Sequence, residues 1–69
     1  MLNKTHVLEL MEESINNYLK ALEINSLYFE SYKAEIFAYM KVLNDEALIS
    51  KYTYMDIDKA KELLKDIKR

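Results

Sequence analysis

The sequence predicts an all-α fold: a small antiparallel helical hairpin followed by a C-terminal helix, together a three-helix bundle. Three observations lead there. Apolar residues recur at alternating spacings of three and four, the period of one face of an α-helix. The strict apolar–polar alternation of a half-buried strand is absent throughout. Finally, the 69 residues include no glycine and no proline. No position therefore forbids helix, and turns fall to Asn, Asp and Ser. A chain of this length is expected to form one domain, 1–69, near the lower size at which an apolar core alone sustains a fold. Very regular helix packing, a partner or self-association is the usual supplement.

The first helix is expected over about 6–24. Leu8, Met11, Ile15, Tyr18 and Leu22 form its apolar stripe, and Glu12, Glu13, Asn16, Lys20 and Glu23 lie elsewhere. A second helix is expected over about 27–43, with Phe29, Tyr32, Ile36, Tyr39 and Leu43 as the stripe. Phe37 and Met40 flank that stripe and widen its apolar face. Leu22 and Phe29 are seven apart, so the two stripes share one heptad register, with Asn25 in the intervening core position. An unbroken helix over about 6–44, in a long-helix coiled coil, is therefore the alternative fold, Asn25 setting its register. Two arguments favour the hairpin. "EINSLYF" contains poor helix formers, and Asn25 and Ser26 suit a helix stop followed by an N-cap. A short chain also gains more core by folding back.

After Leu43 the periodicity weakens. "NDEA", 44–47, reads as a cap ahead of a good helix former, and Leu48, Ile49, Tyr52 and Met55 could continue a short helix. "YTY", 52–54, opposes that. Residues 45–55 thus have no assigned structure from sequence. "DIDKAKELLKDIKR" opens with acids and closes with bases, matching the helix macrodipole, and defines a last helix over about 56–68. Ile57, Ala60, Leu64 and Ile67 form its stripe, with Leu63 at the edge.

Composition excludes several classes of function. With no cysteine there are no disulfides or thiolate metal sites, and a small secreted scaffold is not expected. "MLNKTHVLEL" lacks a basic region followed by a long apolar stretch, so no signal peptide is expected. The longest apolar run, "IFAYM", 36–40, is far short of the ~20 residues that span a bilayer. A cytoplasmic location and no membrane association follow as expectations. The net charge of −2 is spread along the chain. In the C-terminal stretch Lys59, Lys61, Lys65, Lys68 and Arg69 are interleaved with Asp56, Asp58, Glu62 and Asp66, which gives a self-paired face rather than a nucleic-acid footprint. His6 is the only histidine, and no metal-ligand spacing surrounds it. Glu9, Glu12 and Glu13 read as a solvated helix face. Serines 14, 26, 31 and 50 have no nucleophile context, and no glycine loop exists to cradle phosphate. No catalytic, cofactor-binding or metal-binding residue is assigned, and no cofactor is expected.

The stretch "SINNYLKALEINSLYFESYKAEIFAYMK" resembles a tetratricopeptide-repeat junction. In that family a second helix ends in a pattern like A-x-x-x-Y-x-x-A-L-E-I-x-P, and the next helix carries aromatics seven apart. Ser14 stands at the small position, Tyr18 at the aromatic and Ala21 at the second small position. "ALEIN" follows, Ser26 takes the place of the usual proline, and Tyr32 and Tyr39 fall at the two aromatics. "DIDKAKELL" is similar to the start of another second helix, with Ala60 at its small position. Glu35 and Ile36 depart from the family's apolar and small positions, and about a dozen extra residues separate Val42 from Met55. The resemblance covers 14–41 and, loosely, 56–67, and implies a TPR-like helical hairpin that binds protein. "YLKALEIN" with "FESYKAEI" also resembles the Sda family of sporulation histidine-kinase inhibitors, once one residue is inserted in the turn. That likeness implies a hairpin inhibitor of a partner enzyme.

Six tyrosines are the most usable functional clue. Tyr18, Tyr32 and Tyr39 occupy stripe positions and are expected in the core. Tyr28, Tyr52 and Tyr54 fit no stripe, and exposed tyrosine supplies a large, rigid contact surface. The expected partner-binding set is therefore Tyr28, Phe37, Met40, Tyr52 and Tyr54. The expected function is a small protein–protein interaction module, a regulator or adaptor. Its partner would be another protein or a second copy of the chain in a homo-oligomer. A structural subunit or fragment of a larger helical-repeat protein is the remaining reading.

Overall fold

A computed structural model describes residues 3–68, so Arg69 lies outside it. Four helices follow in order: α1, Lys4–Glu23; α2, Phe29–Leu43; α3, Glu46–Lys51; α4, Ile57–Ile67. There is no strand among the described residues. α1 is the central element, packed by α2 as its antiparallel partner and by α4; α3 touches α2.

The shared register of the two stripes is broken at Asn25. It adopts φ +56°, the left-handed conformation that Asn tolerates better than most residues. The Ser26 N–H donates to the Ala21 carbonyl at 2.7 Å and the Asn25 N–H to the Leu22 carbonyl at 3.2 Å. These two bonds form a Schellman motif, which closes the carbonyl end of α1 and turns the chain back. Ser26 then starts the return: its Oγ accepts from the Tyr28 N–H at 3.2 Å. The expected N-cap role is thus spent on the turn at 27–28, and α2 begins at Phe29 rather than 27. The longest dimension is 34 Å, whereas an unbroken helix over 4–43 would run about 60 Å. The coiled-coil alternative is overturned.

Side chains of Asn and Asp set the other boundaries. Asn3 Oδ1 accepts from the Thr5 N–H at 2.8 Å, so α1 starts at Lys4, earlier than the apolar stripe indicates. Asn44, φ +54°, ends α2. Asp45 immediately caps α3, its Oδ1 accepting from the Ala47 and Leu48 N–H groups at 3.0 and 3.4 Å. Asp56 caps α4 through the Lys59 N–H at 2.8 Å. Each cap satisfies donors that a helix start leaves open.

The core gathers Met11, Ile15 and Tyr18 from α1, Ile36 and Met40 from α2, Ala60 and Leu63 from α4, and Tyr52 and Met55 from the connection before α4. Of the expected stripe α1 buries Met11, Ile15 and Tyr18 and leaves Leu8 and Leu22 half-buried, and it adds Val7, Ser14 and Ala21, because it is covered by two helices rather than one. The other stripes are rotated from expectation. Ile36 and Met40 are the buried centre of α2, while Tyr32 and Tyr39 are half-buried. Leu63 is fully buried in α4, and Ile57 is exposed. Both shifts have one cause: sequence spacing gives the width of an apolar face but not the direction from which its neighbour approaches.

Candidate interaction surface

The five expected contact residues separate into two groups. Tyr28 is 71 % exposed and Tyr54 57 % exposed. Met40 and Tyr52 retain 2 % and 1 % of their surface, so the expectation that they lie outside the core is corrected. Phe37 is half-buried and packs against that core. Tyr52 fits no stripe because it is not in a helix; it ends α3 and turns its ring inward. Met40 lies four residues beyond Ile36, on the same helical face.

The hairpin tip carries what the expected set omits. Ile24 is 60 % and Leu27 89 % exposed, beside Tyr28. All three belong to the connection between α1 and α2, where the Schellman turn points residues out into solvent. On one flank the tip borders a hollow of about 180 Å³ that runs from Ala21 and Ile24 to Tyr28 and Tyr32. On the other flank an open groove of about 400 Å³ lies between Tyr18, Leu22 and Phe29 on one side and Met55 and Ile57 on the other. The Tyr18 and Phe29 rings lie 6.5 Å apart, tilted by 58°. Leu22 and Ile57 continue into an adjoining hollow with Leu19 and Lys61. Lys33 and the acids Asp56 and Asp58 also line the groove, so it presents both signs of charge around an apolar floor. The signal in the sequence for this tip is Tyr28, which fits no helical stripe, whereas Ile24 and Leu27 fall inside the helices expected over 6–24 and 27–43.

A polar clasp fastens the end of α3 and the connection after it to α4. The Tyr52 hydroxyl donates to Asp66. Lys51 Nζ donates to the same carboxylate at 2.9 Å and pairs with Glu62 at 3.0 Å. Lys59 Nζ lies 5.8 Å from the Tyr52 ring centre and 5.5 Å from that of Tyr54, within cation–π range. Burial, and then the bond to Asp66, push the Tyr52 phenol up to about 12. The Lys51 ammonium is raised by its hydrogen bonds to Asp66 and Glu62. Burial also raises the Tyr18 phenol, whose hydroxyl donates to the Met55 carbonyl at 3.5 Å. These groups hold the connection against α4 and α1.

Among the described residues no three His, Asp or Glu side chains converge as a metal site requires. None of the described helices is long and apolar enough to cross a membrane. Comparison with protein-family models, curated proteins and solved structures finds no match.

Proposed function

We propose that this chain is a protein-binding module that engages its partner through the hairpin tip, and that it acts as a regulator or adaptor by occupying a partner's surface. The observation that carries this reading is the exposure of Ile24, Leu27 and Tyr28 together on one short connection. Single exposed apolar residues need no explanation, but a cluster of large ones is a mark of an interaction site. Leu and Ile supply apolar area there, and Tyr28 adds a rigid ring with a polar end, the kind of residue that anchors interfaces. The likeness to a tetratricopeptide-repeat hairpin supports the same reading, since a lone repeat unit leaves outer faces that neighbours would cover.

A photo-cross-linking side chain placed at position 28 tests the proposal in the native host. It should trap one discrete protein adduct, and the same group at the exposed position 13 of α1 should not. Equal trapping at both sites would overturn the reading. An adduct of twice the chain's own mass would identify the partner as a second copy.

A further inference from the structure

We propose that residues 45–55 form a strap that opens from the helical body as one unit, with Tyr52 as its bolt, while α1, α2 and α4 stay packed. The strap differs from every other part of the fold in how it is held. α3 is six residues long and buries none of them, and a helix that short has little stability of its own. Its backbone lies against α2 and reaches neither α1 nor α4, and only the side chain of its last residue, Lys51, extends to α4. Yet its two ends are fixed by different means. At the start Asp45 caps the helix, next to the left-handed Asn44. At the far end Tyr52 and Met55 enter the same core as Ile15, Ile36 and Met40, and the Tyr52 hydroxyl and Lys51 ammonium meet on Asp66 of α4.

Those attachments act together. Withdrawing Tyr52 breaks its bond to Asp66, draws Lys51 off the same carboxylate, and removes the ring from the core. Within α3 only the half-buried Leu48 on the core edge and the exposed Lys51–Glu62 pair then hold the segment. α4 has a separate attachment, because Ala60 and Leu63 are buried in the core by its packing on α1. Segments with few buried contacts and exposed backbone hydrogen bonds are those that open below the global unfolding free energy. Opening would uncover the apolar surface of Ile15, Ile36 and Met40, giving the molecule a second apolar face distinct from the hairpin tip.

Native-state hydrogen exchange tests this independently of any partner. The Ile49 and Tyr52 amides, bonded to the Asp45 and Leu48 carbonyls, report on the strap. Amides of Ile15, Ile36 and Leu63 report on α1, α2 and α4. In the wild-type chain the two strap amides should share one opening free energy and denaturant slope, both below those of the other three. Tyr52→Phe, which removes only the hydroxyl, should speed strap exchange by about 10–100-fold, the loss expected for a bond to an ionised acceptor. Amides of Ile15, Ile36 and Leu63 open only with the whole chain, which breaks the same bond, so they should speed up by no more than that factor and stay slower than the strap. Asp66→Asn, which keeps an acceptor of the same shape, should give a smaller change in the strap amides. Strap amides as protected as Ile15 in the wild type would overturn the proposal. So would strap amides that Tyr52→Phe leaves unchanged, or a Leu63 amide that shares the strap's opening free energy and denaturant slope in the wild type.

Discussion

The hairpin and the segment that follows it solve the same problem with different forces. α1 and α2 are joined by a turn at Asn25 and close on a continuous apolar seam: Met11, Ile15 and Tyr18 against Ile36 and Met40. The portion from Asn44 to Ile67 is made of shorter pieces. Aspartate caps begin its two helices, and Tyr52, Lys51 and Asp66 clasp the connection between them. Apolar burial is nondirectional and scales with area, so the seam is stable but tolerant of exact geometry. A clasp of hydrogen bonds is directional and loses its worth when one member is removed. The hairpin is therefore the part whose loss unfolds the chain, and the second part the one whose loss loosens it.

The largest expected effect comes from cutting the seam. Ile36→Ala should destabilise the whole chain by about 2–5 kcal/mol, through lost transfer energy and the cavity left behind. Tyr39→Ala removes more atoms from a half-buried position and should cost less than Ile36→Ala. Urea denaturation followed by circular dichroism measures both. A larger loss at Tyr39 would place the seam on the aromatic stripe that spacing alone suggests.

Alkaline titration comes next and separates the two regions. The Tyr52 phenol sits at about 12 in the folded chain against an ordinary value of 10, so the unfolded chain releases that proton first. The stability from neutral Tyr52 is complete below pH 10 and is lost as pH rises from 10 to 12. Lys51 and Tyr18 are raised as well and act in the same direction. Denaturation midpoints should accordingly fall over that interval. Tyr52→Phe should start lower at pH 8 and fall less steeply toward pH 12. A variant that follows the wild-type slope would remove Tyr52 from the cause.

How much of this was legible beforehand follows the same division. The all-α fold, the hairpin and its reversal at Asn25 come from periodicity and turn chemistry, both local. The Asp45 cap is readable for the same reason. Met40 and Tyr52 were expected at the surface because neither lies on a simple stripe. Met40 is buried because the Ile36–Met40 face of α2 is the one turned to the core, and Tyr52 through a fold-back whose hydroxyl finds Asp66 fourteen residues on. Neither the direction of packing nor the long-range bond leaves a trace in local spacing. The exposed tip was half-visible: Tyr28 stood out as stripeless, whereas Ile24 and Leu27 look like ordinary helix residues until the turn places them.

Smaller effects probe the boundaries. Asn25→Ala puts a β-carbon with no compensating polar group into the left-handed region and should cost about 1 kcal/mol. Asn25→Gly should be neutral or stabilising by up to about 1 kcal/mol. Asp56→Ala should cost about 1 kcal/mol by uncapping α4. Thermal melts resolve changes of that size in a chain this short. If Asn25→Ala were free of cost, the reversal would owe its position to packing rather than to the turn residue.

The smallest effect completes the comparison, because each region has its own surface ion pair. Lys33 pairs with Glu30 at 3.2 Å within α2, three residues apart on one helix. Such a pair orders two side chains for a screened attraction, so Lys33→Ala should change stability by less than about 0.5 kcal/mol. Lys51 is also at the surface, but it joins the end of α3 to two carboxylates of α4 that are far from it in sequence. Lys51→Ala should therefore lower the midpoint more than Lys33→Ala does, and the gap should narrow as salt rises from 0.05 to 0.5 M, by about that ionic strength screening most of an exposed attraction. Equal, salt-independent effects would mean that the clasp rests on Tyr52 alone, with Lys51 a bystander to its bond with Asp66.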